Sequence, residues 1–294
     1  MSNQPRILCL HGGGVSAKIF ERQMRYFIKS LEHDFRPVFA DGPWLSEMHD
    51  DLKPVYSHMG PCYRWANWKP HHAPMNDASA IREIESALVK AMSEDEGQGE
   101  WVGLVGFSQG AALAFSILLE NQLRLERDPS SPGFAGVHWQ FGVIMAGRGP
   151  PFSMSPHTQL NHHFKSLTQL PQGRKKSLRS DPFATKLRTP TLHVHGLGDG
   201  GLELHRDLLK QSASPAHSML VEWEGAHRIP FRSTDVNRIT EAIREVANFQ
   251  QPPAKYAPIP GRGVFDLLSR GYLVVDSHDK RAIMGPSGDI TTIA

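Results

Sequence analysis

Short apolar runs alternate with amphipathic stretches along most of this 294-residue chain, and that alternation narrows the fold more than any single motif. "RILCL" (6–10), "RPVFAD" (36–41), "WVGLV" (101–105), "FGVIMAG" (141–147), "TLHVHG" (191–196) and "SMLVEWEG" (218–225) read as strands. Between them, "IFERQMRYFIKSLE" (19–32), "ASAIREIESALVKAM" (78–92), "GAALAFSILLENQ" (110–122) and a segment from about 235 to 249 carry helical periodicity. A further helix is expected to hold Glu203 and Asp207. Strand and helix in strict alternation imply a mostly parallel sheet, because each parallel crossover lays a helix over one face. The expected fold class is therefore α/β, with helices on both faces of a central sheet.

Two stretches break the rhythm. Residues 42–77 are crowded with Pro, His and Trp ("GPCYRWANWKPHHAP" at 60–74), and residues 147–188 have no clear period. Long aromatic-rich loops in α/β proteins tend to be functional, so both are expected to cap a substrate cavity. Residues 1–250 are expected to form one domain carrying these caps. A Pro/Gly-rich linker ("QPPAKYAPIPGRG") then leads to a C-terminal extension, 251–294, in which "VFDLLSRGYLVVD" is expected to dock as a short helix and strand before a polar end that frays.

Charge excludes one class of partner. With 32 basic against 30 acidic residues the net charge is only +2, so the chain has no stripe suited to a phosphate backbone, and no nucleic acid is expected. Two cysteines, Cys9 in a strand and Cys62 in a loop-like region, make neither a disulfide framework nor a zinc set and point to a reducing compartment. The first residues lack the apolar run of a signal peptide and no run is long enough to span a bilayer, so a cytoplasmic protein with no membrane partner is expected.

The chemistry lies in "GFSQG" (106–110), where a strand meets a helix. Gly-x-Ser-x-Gly at such a junction is a nucleophile elbow: the turn is so tight that Gly106 and Gly110 must be small, and it lifts Ser108 Oγ above the sheet. Serine needs a base, and the base needs an acid that orients it. In this fold the order is Ser, then Asp or Glu, then His, each after a later strand. Asp199 follows "TLHVHG" and His227 follows "SMLVEWEG", as that order requires. Glu203, Asp207, Glu222 and Glu224 are worse placed, lying inside the neighbouring helix and strand.

Two backbone N–H groups should meet the oxyanion. Gln109 opens the helix after Ser108, and the glycine-rich loop "CLHGGGVS" after the first strand supplies Gly13, with Gly14 as the fallback. That loop also fits a rival pattern: Gly12, Gly14 and Ala17 match G-x-G-x-x-A, and Asp41 ends the next strand where a ribose-binding acid would sit. A dinucleotide protein has no use for the elbow, the Asp199 turn and the loop histidine in sequence, and no cofactor is expected. His193 and His195 alternate on one strand, but no third histidine follows at useful spacing, so no metal is expected. His71 and His72 read as solvated loop residues, and "RKKSLR" (174–179) as a basic loop able to attract an acidic carrier or a coenzyme A phosphate.

"RILCLHGGGVSAKIFERQMRYF", "FADGP", "GPCYRWANW", "GFSQGAALA", "PTLHVHGLGD" and "GAHRIP", in this order, resemble the fungal FSH family of serine hydrolases. That family is related to the ovarian-cancer-associated hydrolases and to the stand-alone thioesterases of fungal polyketide pathways. The resemblance covers roughly Arg6 to Asn248 and implies an α/β-hydrolase fold with Ser108, Asp199 and His227 as the triad. It also implies that residues 60–68 help to wall an acyl pocket, with Arg64 and Trp65 on matching positions. Trp44, Tyr63, Trp68 and Phe107 complete the expected lining.

The expected reaction is hydrolysis of an ester or thioester of a bulky apolar acyl chain. A polyketide-type product released from its acyl carrier domain suits these aromatic residues better than acetate does. The alternatives are a general carboxylesterase and a hydrolase-fold protein that binds ligand with little turnover.

Overall fold

The computed structural model describes residues 3–73, 75–159, 161, 163–169 and 185–249, together with the backbone of three strands at 273–277, 280–284 and 290–293. The basic run at 174–179 and the helix expected early in the extension lie outside the described residues.

Six parallel strands form the central sheet: β1 (Arg6–Leu10), β2 (Arg36–Ala40), β5 (Trp101–Phe107), β6 (Phe141–Met145), β7 (Thr191–Gly196) and β8 (Ser218–Trp223). Their order in space is β2-β1-β5-β6-β7-β8. The chain begins inside the sheet, steps to one edge at β2, and returns past β1 to build the other side. Its direction of winding therefore reverses between β1 and β5, and loops leaving their carboxyl ends diverge to open a crevice. Leu10 pairs with Gly106 in that register, so the two strands end nearly level.

Period-two patterning divides the core. Ile7 and Cys9 face a layer with α1 (Ala17–Gln23), α2 (Arg25–Ser30) and α7 (Ser233–Ala247), while Leu8 and Leu10 face α4 (Asp77–Ser93), α5 (Gln109–Arg127) and α6 (Leu202–Ser212). Both faces are covered, which is the α/β-hydrolase arrangement. Helix α5 is buried from Gly110 to Gln122, as befits an element packed against the middle of the sheet. The single helix expected over 19–32 is divided at Met24 into α1 and α2; Met24 N–H donates to Phe20 O and Ile28 N–H to Met24 O, each at 2.9 Å, across the junction.

The first cap is more ordered than its composition suggests. It contains β3 (Trp44–Ser46), a one-turn helix α3 (Lys53–Tyr56) and β4 (Cys62–Arg64), with β3 and β4 paired antiparallel. Cys62 is thus a buried strand residue rather than part of a loop. Strands of three residues carry too little alternation to be read from sequence. The described part of the second cap is stitched to the first: Asn67 N–H donates to Leu167 O, and Asp77 Oδ1 accepts from Ser166 Oγ at 2.8 Å and Thr168 Oγ1 at 2.7 Å.

The C-terminal extension corrects one expectation. Rather than fraying, its polar end forms β10 (Lys280–Met284) and β11 (Ile290–Ile293), which pair antiparallel with β9 (Leu273–Ser277) in the order β11-β10-β9. "RAIM" and "ITTI" carry the β-branched content a strand needs, which the surrounding Gly, Ser and Asp obscure. Among the described residues no helix is long and apolar enough to cross a membrane.

Two buried imidazoles bear on stability. Fully buried His11 donates Nδ1–H to Gly12 O at 2.7 Å and accepts Gly42 N–H at Nε2 at 3.0 Å, which requires the neutral Nδ1–H tautomer. Burial pushes its pKa down to about 4, against the weaker opposing effect of the Gly12 hydrogen bond. Burial also holds His193, on β7, well below the ordinary imidazole value. Both groups stay neutral in the fold but take up a proton near about pH 6.5 once unfolded. Their contribution is therefore intact above that pH and is lost as pH falls toward 4, at about 1 kcal/mol per pH unit for each group. Urea midpoints measured from pH 7 to 4.5 should fall accordingly, and a constant midpoint would refute neutral burial of both rings. Separately, a Cβ on Gly110 would sit 2.1 Å from Leu10 O, a backbone atom that cannot step aside. Gly110→Ala should therefore lose about 3 kcal/mol or more in the same assay.

Candidate active site

Ser108 joins β5 directly to α5 with φ 54° and ψ −113°, a left-handed backbone that a non-glycine residue seldom adopts. Its neighbours hold it there. A Cβ on Gly106 would lie 2.3 Å from Gly110 O, so the strand end and the first turn of α5 touch with no room for a side chain. Ser108 N–H is anchored on Met145 O at the end of β6, at 2.9 Å.

The loops after β7 and β8 bring two partners to this serine. They are tied together by Leu197 N–H to Trp223 O at 2.9 Å and Gly198 N–H to Gly225 O at 2.8 Å. Asp199 and His227 therefore stand side by side: His227 Nδ1 lies 2.6 Å from Asp199 Oδ2, and Nε2 lies 2.9 Å from Ser108 Oγ. A carboxylate at Nδ1 requires the proton on that nitrogen, which leaves the Nε2 lone pair to accept the serine hydroxyl. The aspartate side chain is only 1% exposed. Its burial favours the neutral acid, but the Gly201 N–H at 2.7 Å and the bond and charge of His227 outweigh that and hold its pKa below the usual carboxylate range. Two of the competing acids are engaged elsewhere, Glu203 and Glu222 both accepting from Arg206.

The loop after β1 runs alongside. A Cβ on Gly12 would stand 3.6 Å from Ser108 Cβ, so this backbone passes within contact of the elbow. Gly14 is not available as an oxyanion donor: its N–H is spent on Tyr63 O at 2.9 Å, its carbonyl accepts His49 N–H, and its φ of 73° aims it at the first cap. Gly13, which follows Gly12 and lies against the Gln109 and Trp68 side chains, remains as the candidate. Gln109, as the first residue of α5, has an N–H with no acceptor inside the helix. Its side chain does something the sequence did not reveal. Oε1 accepts the N–H groups of Trp65 (2.7 Å) and Ala66 (3.3 Å) while Nε2 donates to Ala66 O (3.1 Å), clamping the first cap to the helix start.

The expected pocket residues separate. Trp65 is fully buried, with Nε1–H on His11 O, and belongs to the core rather than to a wall. Phe107 lies against His227, ring centroids 5.0 Å apart, and Trp68 brings its buried Nε1, which has no hydrogen-bond partner among the described residues, to 3.4 Å from where a Gly13 Cβ would be. Trp44 bonds to Glu83 at the cap edge, and Tyr63 pairs its backbone with Val15. Arg64 is bonded to Asn67 and to Leu45 O and lines a cleft of about 500 Å3 with Glu47, Cys62, His71 and His72, a lining that does not include Ser108. His72 is not simply solvated, since its Nδ1 accepts Trp68 N–H at 3.2 Å.

Two further side chains change the reading of the sequence. Asp41, the acid of the dinucleotide pattern, accepts Ala17 N–H at 2.7 Å and caps α1. His205 lies next to Asp199, a position that nothing in its spacing from His193 and His195 marks. It is fully buried on α6, with Nε2 3.7 Å from Asp199 Oδ2.

The chain is also similar to known proteins. The chain is 42% identical over 246 residues to esterase citA of Monascus ruber, covering 83% of this chain and 92% of that one. Esterase claE of Penicillium crustosum is 41% identical over 249 residues, again covering 83% and 92%. Among solved structures, acyl-protein thioesterase 2 of Zea mays is a remote likeness at 14% identity and TM-score 0.47, covering 84% of this chain and 96% of that one. The family model described as "Serine hydrolase (FSH1)" matches residues 1–239, and the chain belongs to that serine hydrolase family.

Proposed function

We propose that this serine hydrolase cleaves esters or thioesters of a bulky apolar acyl group through Ser108, His227 and Asp199, with Gln109 and Gly13 as oxyanion donors. The observation that carries this reading is the continuous hydrogen-bonded line from Asp199 through His227 to Ser108 Oγ. His227 Nε2 takes the hydroxyl proton as Oγ attacks the acyl carbonyl, and the imidazolium that forms is stabilised by the buried carboxylate. Collapse of the tetrahedral adduct passes that proton to the departing alcohol or thiol. Water, deprotonated by the same nitrogen, then frees the acid. The N–H groups of Gln109 and Gly13 are assigned to the oxyanion, Gln109 because it opens α5 directly after Ser108 and Gly13 because it follows Gly12, whose backbone passes beside the elbow; each such donor is worth on the order of 100- to 1000-fold.

Apolar groups around the site favour a large acyl chain. Trp68 lies against the Gly13 backbone and Phe107 against His227, while Leu197 and Phe231 expose apolar surface on the loops that carry Asp199 and His227. The family resemblance makes release of a polyketide-type acyl group from an acyl carrier the substrate class of first choice. A general carboxylesterase is the second reading, supported by relatives named as esterases.

Intact mass after treatment with a fluorophosphonate should show one adduct on the parent and none on Ser108→Ala. Well-folded parent protein that takes up no adduct would sink the nucleophile assignment and bring a non-catalytic ligand-binding role forward. For the acyl group, kcat/KM should rise by about 10-fold or more from acetyl to long or aromatic acyl N-acetylcysteamine thioesters. Equal rates across that series, or a preference for acetyl esters, would favour the general esterase.

A further inference from the structure

Behind the line from Asp199 to Ser108 lies an imidazole that the reaction does not use. His205 is fully buried, its Nε2 stands 3.7 Å from Asp199 Oδ2, and its ring centroid is 6.3 Å from that of His227. Neither of its ring nitrogens has a hydrogen-bond partner among the described residues. A buried imidazole with both nitrogens unmet is costly and calls for a ligand. Around it, the His195 ring lies tilted at 53° with its centroid 5.5 Å away, and Arg148 approaches the other carboxylate oxygen of Asp199 at 3.6 Å from a half-exposed side chain.

Asp199, His205 and His227 each offer one ligand atom, and these atoms lie within 4.8 Å of one another. Two imidazoles and a carboxylate suit zinc, whose bonds of about 2.0–2.2 Å place tetrahedral ligands roughly 3.3–3.6 Å apart. The 3.7 Å between Asp199 and His205 is already near that spacing. The 2.6 Å between Asp199 and His227 must open, by about 1 Å at most. His227 can move, being on a loop with a side chain 26% exposed, and solvent on that side can complete the coordination.

We propose that this cluster is an inhibitory Zn2+ site, built on the carboxylate and imidazole that the proposed hydrolase mechanism uses. In the free enzyme His227 carries its proton on Nδ1 and faces Ser108 with the Nε2 lone pair. Zinc binds through the Nδ1 lone pair, so the Nδ1–H bond breaks and an Nε2–H bond forms, the proton passing through solvent with no change in the ring's charge. A ring protonated at Nε2 has nothing with which to take the serine proton. The metal thus switches the enzyme off by changing a tautomer, without blocking the entrance. His205 is what turns an ordinary triad into a three-ligand site.

Equilibrium dialysis of full-length protein against Zn2+ tests the site without reference to turnover. Ser108→Ala, which removes no ligand, should bind one Zn2+ per chain as the parent does. His205→Ala and the closer-sized His205→Gln should each bind at least ten-fold more weakly, and Co2+ in place of zinc should give tetrahedral visible absorption that both variants lose. In the parent, Zn2+ should suppress fluorophosphonate labelling and a chelator should restore it, whereas labelling of His205→Gln should be insensitive to the metal. No zinc uptake by the parent, or uptake undiminished in both His205 variants, would overturn the proposal. Zinc uptake by a parent that no fluorophosphonate labels would uphold the metal site and refute the hydrolase reading, so the two can fail separately.

Discussion

The contact on which the rest of the structure depends is the near-touching of three backbones: the end of β1, the end of β5 and the first turn of α5. Gly106 and Gly110 permit it, since a Cβ on either would fall within 2.3 Å of a carbonyl oxygen. The close approach lets the chain turn from strand to helix at one residue, and that residue, Ser108, bears the strained φ. Strain of this kind costs about 1–3 kcal/mol and persists only where its surroundings over-determine it. Here they do, through the Met145 carbonyl, the buried length of α5 and the pairing of β1 with β5.

From this point the site is assembled by loops that hold one another. The turns after β7 and β8 are bonded together, so Asp199 and His227 arrive as a unit. On the other side, Gln109 grips the backbone of Trp65 and Ala66, while Gly14 and Val15 pair with Tyr63. The first cap is therefore anchored to the same helix start that presents the serine. A change in its seating would be felt at the Gly12–Gly13 backbone, since the cap bonds to the residues immediately following it.

Much of this was legible in the sequence because it rests on local pattern. Six buried strands announce themselves as apolar runs, the elbow as two glycines at fixed offsets, and the order of Ser108, Asp199 and His227 follows from strand succession. Most of what was not legible depends on contacts distant in sequence. Nothing local marks the Gln109 side chain as a clamp on Trp65, 44 residues away in sequence; His205, only six residues beyond Asp199, is hidden instead because no motif marks which residue of α6 meets the carboxylate. Trp65 shows the limit from the other direction. An aromatic residue in a Pro- and His-rich loop suggests a pocket wall, yet its indole is consumed by the carbonyl of His11 in the core. The three-residue strands β3 and β4 were hidden for a simpler reason, being shorter than the period that would reveal them.

The two cysteines give the fold a further property. Cys9 lies in the middle of β1 and Cys62 in β4; both are buried, and burial pushes both thiols up, away from the reactive thiolate. In the native state Cys9 is sealed within the sheet, and Cys62, although it lines the cap cleft, is only 4% exposed. Thiol alkylation therefore becomes a clock for opening, with Cys62 timing release of the cap hairpin and Cys9 timing separation of the central strands. The two rates would show whether the cap can lift while the sheet beneath it remains closed.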